Sequence, residues 1–445
     1  RQQYGEQPFW AATALAAMLG QMGKPGGGIA FGYTITNYLG NNVFKMPYAP
    51  MPQGKNSVTD FIPVARVSDM LLNPGQKFDY NGTEYTYPDI DLIYWAGGNP
   101  FHHHQNLARL REAWEKPSTV IVNEWCWNSL ARHADIILPC TTTLERRDIG
   151  MTPRDPYVIS MDKAIEPIGE ARNDYDIFAG IARHMDTEDT FTEGRTAEDW
   201  QQWIWEQSRE RAAKLNVQMP DYQTFRETGF YKSPELNEDR IFLLDFFNDP
   251  DTNPLKTPSG KIELFSDTID SFNYDNCPGH PTWMEPAEWL GAKDKTYPLH
   301  VISNQPKTKL HSQMDNGALS SSIKIKGHQP LEMNPVDAKA RSITEGDIVR
   351  VFNGRGACLC GVNITSDVMP GVVIISTGSW YDPVDPADPS SMCKHGNPNV
   401  LSPDIGTSKL AQGPAAHSCL AEIELYDGPA QNITAFNPPE IIDKK

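Results

Sequence analysis

Three short apolar runs between residues 91 and 139 set the frame. Leu92-Ile93-Tyr94-Trp95-Ala96 ends at Gly97-Gly98-Asn99-Pro100, Thr119-Val120-Ile121-Val122 ends at Asn123-Glu124, and Ile136-Ile137-Leu138 ends at Pro139. Their length and β-branching suit buried strands. Between the first two, Asn106 to Lys116 places Leu107, Leu110 and Trp114 at helical spacing. Strands alternating with helices predict an α/β fold built on a parallel sheet with flanking helices. In such sheets ligands bind beyond the carboxyl ends of the strands, which directs attention to Gly97, Gly98, Asn99, Asn123, Glu124 and the turn at Pro139.

Elsewhere the pattern changes. Residues 10 to 23 carry Leu15, Met18, Leu19 and Met22 on one helical stripe, closed by Pro25-Gly26-Gly27-Gly28, which predicts an early helix. Thr34 to Val58 has no periodicity and reads as a long surface or lid loop. Residues 180 to 290 are acidic and rich in Trp, with a helix predicted around Glu198 to Lys214. After Tyr297 the runs are short and strand-like: Leu299 to Ile302, Asp347 to Phe352, Ala357 to Ile364 and Val372 to Ser376. Asn353-Gly354 is a hairpin turn and Asn334-Pro335 the cap and first turn of a short helix. This region predicts a small closed β-barrel.

Composition narrows the class. The 445 residues hold 39 Lys+Arg against 57 Asp+Glu, a net charge of -18, so the summed field disfavours nucleic acid and anionic membranes as partners. No apolar run approaches the roughly 18 to 20 residues of a membrane span, and the chain reads as soluble. Seven scattered cysteines do not suggest a disulfide framework. Cys358 and Cys360 alternate on one face of a strand and read as packed thiols.

The candidate chemistry lies mostly at turns. Gly97-Gly98-Asn99-Pro100 allows close backbone approach to a phosphate. His102, His103 and His104 are consecutive, splay around an axis and cannot converge on one metal ion; one of them donating to a pyrophosphate is the better reading, with a surface role comparable. Asp135 can accept two N–H donors from a guanine edge or serve as a cap. Thr141 to Asp148 reads as a solvated loop. Ser303-Asn304-Gln305 and His311-Ser312-Gln313 flank Lys307 and Lys309 directly after a strand, a polar cluster suited to a ligand, and Gly396 to Val400 and Gln412 to His417 repeat that character. No iron-sulfur or zinc Cys cluster, Walker loop, Gly-x-Ser-x-Gly or Gly-x-Gly-x-x-Gly occurs in the sequence.

In chain order, Gly5-Glu6-Gln7-Pro8, Pro25-Gly26-Gly27-Gly28, Trp95 to Pro100, Ala134 to Pro139, Thr257 to Glu263, Leu310 to Gln313 and His395 to Asn399 resemble the molybdopterin oxidoreductases of the dimethyl sulfoxide reductase family. Within it the chain most resembles the single-subunit S-oxide and N-oxide reductases, those of dimethyl sulfoxide, trimethylamine N-oxide and biotin sulfoxide, and Tyr80 to Pro88 and Arg154-Asp155-Pro156-Tyr157 favour the first of these. The resemblance implies the C-terminal part of such an enzyme. Residues 1–55 would end a first α/β nucleotide-binding domain, 56–290 form a second, 291–430 a six-stranded β-barrel bridging two pterins, and 431–445 a tail.

The resemblance further implies molybdenum held by two molybdopterin guanine dinucleotides, with the protein's serine ligand upstream of Arg1 and no metal ligand in this chain. Asn99 and His103, with Gly98, would contact the phosphate and ribose region of one dinucleotide. Asn123 and Asp135 would meet its guanine. Ser303, Asn304, Gln305, His311, Ser312, Asn399 and Gln412 would hold the pterins and phosphates from the barrel side, and Arg1 would approach the substrate funnel. The implied reaction is reduction of a sulfoxide or N-oxide by oxygen-atom transfer, in a periplasmic or cytoplasmic monomer fed by an electron donor such as a c-type cytochrome. A non-catalytic cofactor-binding fragment is the alternative.

Overall fold

The computed structural model describes residues 1–33, 39, 43–152, 155–236 and 240–442. It divides into two compact units, one comprising Arg1–Trp10, Asp60–Ile137 and Phe265–Lys445, the other Ala11–Thr59 and Leu138–Leu264.

The first unit holds the sheet and the barrel. Leu92–Ala96 and Thr119–Glu124 pair in parallel, with Ala96 opposite Asn123, so the turn at Gly97 and the end of the second strand emerge side by side. Ile136–Pro139 completes the three-stranded sheet. Leu107–Trp114, opened by the side chain of Asn106 accepting from the Arg109 amide, buries Leu107, Leu110, Ala113 and Trp114. The barrel closes in the order Pro330–Met333, Gly356–Ile364, Ile348–Asn353, Leu420–Leu425, Leu299–Ile302 and Val372–Ile375. Its hairpin turns at Asn353, opposite Gly356, where Asn353 Nδ2 donates to the carbonyls of Leu401 and Leu420, both at 2.9 Å.

One hydrophobic core serves both parts. Phe101, Leu107, Leu110 and Val122 from the sheet side belong to the same buried cluster as Leu331, Val349, Val351 and Val373 of the barrel. Each such side chain contributes roughly 1.5–3 kcal/mol of transfer free energy. The stability of sheet and barrel is therefore coupled.

The second unit carries an antiparallel sheet of Asp148–Met151, Tyr157–Met161 and Phe230–Lys232. Its main helix, Ala197–Ala213, starts at a capping box of Thr196 and Asp199. Trp205 from that helix stacks on Phe225 at a centroid distance of 3.8 Å, and both lie in a core with Val158 and Tyr231.

The early helix differs from its expectation. It runs Glu6–Met18 with only Gln7 buried, and Leu15, Met18 and Leu19 are exposed. Apolar residues surround this Ala-rich helix rather than forming one stripe, and it stops before Met22, which is buried in the turn that follows. The stretch 34–58 contains no helix among its described residues; residues 34–38 and 40–42, like Arg154, lie outside them.

Cys277, Cys358, Cys360, Cys393 and Cys419 are buried, Cys126 and Cys140 half-buried, and all seven are unbridged. Cys358 Sγ lies 4.0 Å from Cys360 Sγ. Burial pushes the thiols of Cys393 and Cys419 up to about 11 and about 12, which removes thiolate character. A disulfide-exchange reagent at pH 8 is expected to modify at most Cys126 and Cys140 quickly in the native protein, and all seven after denaturation. A third fast thiol in the native state would contradict this burial.

Candidate functional site

Gly97 and Gly98 both adopt the left-handed region, at φ +88° and +75°, where a side chain is strained. A Cβ on Gly97 would meet nothing within 4 Å. The turn is thus an open floor at the carboxyl end of the Leu92–Ala96 strand. Asn99 follows, with Oδ1 accepting from the Phe101 amide at 3.0 Å. Its Nδ2 is buried and has no hydrogen-bond partner among the described residues. His102 and His104 turn into the protein while His103 is exposed, so the three histidines splay as their spacing requires. His102 Nε2 lies 3.1 Å from Ser129 Oγ.

The barrel supplies the facing segment. Gln305 Nε2 lies 2.8 Å from His311 Nδ1, and the Gln305 side-chain oxygen accepts from the His311 amide at 3.3 Å. The His311 ring stands 5.5 Å from that of His103, which brings together residues from both sides of the expected site. Asn304 Oδ1 accepts from Ser376 Oγ at 2.6 Å. The carbonyl of Ser312 accepts from the indole N–H of Trp380 at 2.9 Å. Ser303 is half-buried at the end of its strand, near His417, whose amide donates to the Arg1 carbonyl at 2.7 Å. Although the residue keeps an exposed edge, partial burial of its ring, the neighbouring His311 and the charge of Arg1 hold the imidazole of His103 below its ordinary range, so at neutral pH it is an uncharged donor.

The remaining expected residues are more committed to the protein. Asn399 Nδ2 donates to the His102 carbonyl at 2.9 Å, and Asn397 Nδ2 to the Phe101 carbonyl at 3.0 Å. Asn123 accepts from the Tyr94 hydroxyl at 2.8 Å. Asp135 is exposed, with one carboxylate oxygen accepting from the Val120 amide at 2.7 Å. Gln412, on a loop of its own, donates to the Asp79 carbonyl at 2.9 Å.

Comparison with known proteins matches residues 1–184 to the family described as molybdopterin oxidoreductase and residues 299–420 to the molydopterin dinucleotide binding domain. The chain is 44% identical to a dimethyl sulfoxide/trimethylamine N-oxide reductase of Cereibacter sphaeroides, over 99% of this chain and 55% of that protein. The chain belongs to the molybdopterin oxidoreductases. It is also 44% identical to a biotin sulfoxide reductase of Cereibacter sphaeroides, over 97% of this chain and 57% of that protein. A trimethylamine-N-oxide reductase of Haemophilus influenzae is 40% identical over 99% of this chain and 55% of its own length. The chain thus spans about half the length of these relatives. The acetylene hydratase from Pelobacter acetylenicus, at TM-score 0.58 and 19% identity over 76% of this chain and 45% of that chain, shares the fold.

The cofactor of this family is molybdenum bis(molybdopterin guanine dinucleotide), and the residues present fit it. An open glycine floor, the unspent buried amide of Asn99 and a neutral exposed imidazole form a donor set suited to phosphate and ribose oxygens. Among the described residues no group of three or more His, Cys, Asp or Glu could hold a bare metal ion. No helix among them is long and apolar enough to cross a membrane.

One region of this molybdopterin oxidoreductase escaped sequence reasoning. Thr141 to Arg147, read as a solvated loop, walls a pocket of about 710 Å³ in the second unit, whose lining includes Arg146, Arg172, Asn173 and Asp176. The spacing of Thr142 and Glu145, three residues apart as in a capping box, was the available signal: Glu145 Oε2 takes the Thr142 amide at 2.6 Å, and Arg146 Nη1 donates to the Thr141 carbonyl at 2.8 Å. Such bonding fixes a loop that composition alone leaves free.

Proposed function

We propose that the protein containing this chain reduces a sulfoxide or an amine N-oxide by oxygen-atom transfer. The observation that carries this reading is 44% identity, across 99% of the chain, to a dimethyl sulfoxide/trimethylamine N-oxide reductase. When bound, the molybdenum cofactor supplies the two-electron chemistry: the oxide, two electrons and two protons give the sulfide or amine and water.

The chain's own residues bind and orient. The Gly97-Gly98 turn admits a phosphate against the backbone, Asn99 Nδ2 and the His103 imidazole donate to the phosphate and ribose region, and Asn123 and Asp135 face the guanine. From the barrel, Ser303, Asn304, Gln305, His311, Ser312, Asn399 and Gln412 hold the pterin side. The side chains of Asn399 and Gln412 exchange their present carbonyl partners for the ligand or hold the turns that meet it. The net charge of -18 favours a cationic electron donor such as a c-type cytochrome.

The test is made on the full-length source protein. It is expected to contain molybdenum and two guanine dinucleotides, and to oxidise reduced viologen when dimethyl sulfoxide, trimethylamine N-oxide or biotin sulfoxide is added. Protein replete in molybdenum yet inactive on all three oxides would overturn the proposal. Turnover with the natural donor should fall as ionic strength rises; insensitivity to salt would remove the electrostatic docking.

A further inference from the structure

Between the two cofactor-facing turns, residues 97–104 and residues 303–315, no direct hydrogen bond occurs among the described residues. They meet directly in the edge contact of the His103 and His311 rings at 5.5 Å, which fixes no direction, so their separation needs a further anchor. Trp380 is buried, at 3% exposure, and touches both. Its ring stacks on His102 at 6.0 Å with an interplanar angle of 19°. Its indole N–H donates to the Ser312 carbonyl at 2.9 Å. Its amide donates to Asp315 Oδ2 at 3.1 Å, and its carbonyl lies 2.9 Å from His395 Nδ1.

Two further features press this residue into place. Gly378, at φ +94°, passes so close to the second turn that a Cβ there would lie 1.8 Å from the His311 carbonyl oxygen. Behind the indole, Phe436 packs edge-on at 5.2 Å. The segment bearing Phe436 is tied down where Arg132 Nη2 donates to the Thr434 carbonyl at 2.8 Å and the Thr434 amide donates to Asp382 Oδ2 at 2.7 Å. The indole is therefore clamped from behind and leaves its two other sides to the turns.

We propose that Trp380 is a positioning residue that fixes the spacing between the His103 turn and the His311–Ser312 turn, and through it the fit of the dinucleotide between them. This rests on the reading that these two turns hold the cofactor. A rigid aromatic with one buried donor suits the task because it has few rotamers to lose and its single N–H sets a direction. Neither neighbouring histidine needs a charge for it, since burial holds His102 and His395 down to about 3.

The experiment uses the full-length holoprotein with Trp380→Phe, which keeps an aromatic ring and removes the N–H, and Trp380→Leu, which removes both. Amide hydrogen exchange is read at peptides covering 100–104 and 303–315, and cofactor release is followed by the fluorescence of freed pterin. For Trp380→Phe, exchange accelerates at both turns and release quickens about tenfold, the scale of one buried hydrogen bond with its acceptor left unpaired. Trp380→Leu exceeds it in both readouts. Should the Trp380 variants fail to fold, Phe436→Leu loosens the indole from behind and is expected to quicken release about threefold, a fraction of one buried contact.

Unchanged exchange and release in Trp380→Phe would overturn the inference, as would exchange accelerated equally throughout the chain. The family-level reaction fails separately. An unmodified protein that holds its cofactor but reduces no oxide would sink the proposed function and still leave exchange and release to judge Trp380.

Discussion

Replacing Asp315 by alanine is expected to cost about 3–5 kcal/mol of folding stability, the scale for removing one partner of a buried ion pair. Its side chain is fully buried and receives Lys309 Nζ at 2.5 Å and Lys324 Nζ at 2.9 Å, lysines whose own side chains are 1% and 4% exposed. Burial alone would push the Asp315 carboxyl up, but Lys324, His395 and Lys309 beside it bring it down to about 2. Alanine at 315 leaves two like charges buried without a counter-ion and orphans the Trp380 amide. Urea unfolding at pH 7 measures the loss. The combined change Lys309→Met, Asp315→Leu and Lys324→Met should recover most of it, because an apolar replacement removes all the buried charge at once. A loss below about 1 kcal/mol for alanine would mean the lysines reach water.

Acid is expected to destabilise the protein well above the carboxylate range. His102, His104 and His395 are buried, and burial holds them down to about 3, about 4 and about 3. Below the ordinary histidine value near 6.5, the unfolded chain takes up protons that the folded chain refuses. Stability is therefore fully present above about pH 6.5 and is lost as pH falls from there toward the folded values. At pH 5 each of the three costs on the order of 2 kcal/mol. Asp315 works in a lower window, since its contribution is lost only between about 3.9 and 2. Urea midpoints at pH 7.5, 6.5, 5.5 and 5.0 read the histidine window alone, above that of Asp315, and His395→Gln should flatten the decline by one proton. Constant stability between pH 7 and pH 5 would sink this account.

The parts of the fold written in the chain were those with strong local patterns. Leu92–Ala96 and Thr119–Glu124 are β-branched and apolar runs, and they form as expected. The Ala197–Ala213 helix and the Asn334 cap, whose Oδ1 takes the Val336 amide, also form where the pattern places them. Two barrel strands were not named from the sequence. Pro330–Met333 is four residues long and begins at a proline, and Leu420–Leu425, though it alternates, pairs only with strands far away in sequence. The hairpin Lys77–Tyr80 with Thr83–Thr86 was also missed, although Asn81-Gly82, at φ +47° and +82°, is the preferred turn for it.

The candidate site divides on similar lines. The Gly97-Gly98-Asn99 turn follows from a strand end, and the family resemblance points to both His103 and His311. Only the fold could show that their rings stand 5.5 Å apart. Trp380 carries no local signal, because its role comes from partners at His102, Ser312 and Phe436 in three distant segments.

The place of the last strand has a consequence for how the protein is made. Leu420–Leu425 inserts between Ile348–Asn353 and Leu299–Ile302, so a growing chain emerging from the ribosome holds an open barrel until those residues are free of the exit tunnel. Until then two strand edges stay bare and vulnerable to mispairing. The sheet shares its core with that barrel, so the turns at the ends of its strands also wait for Leu420–Leu425.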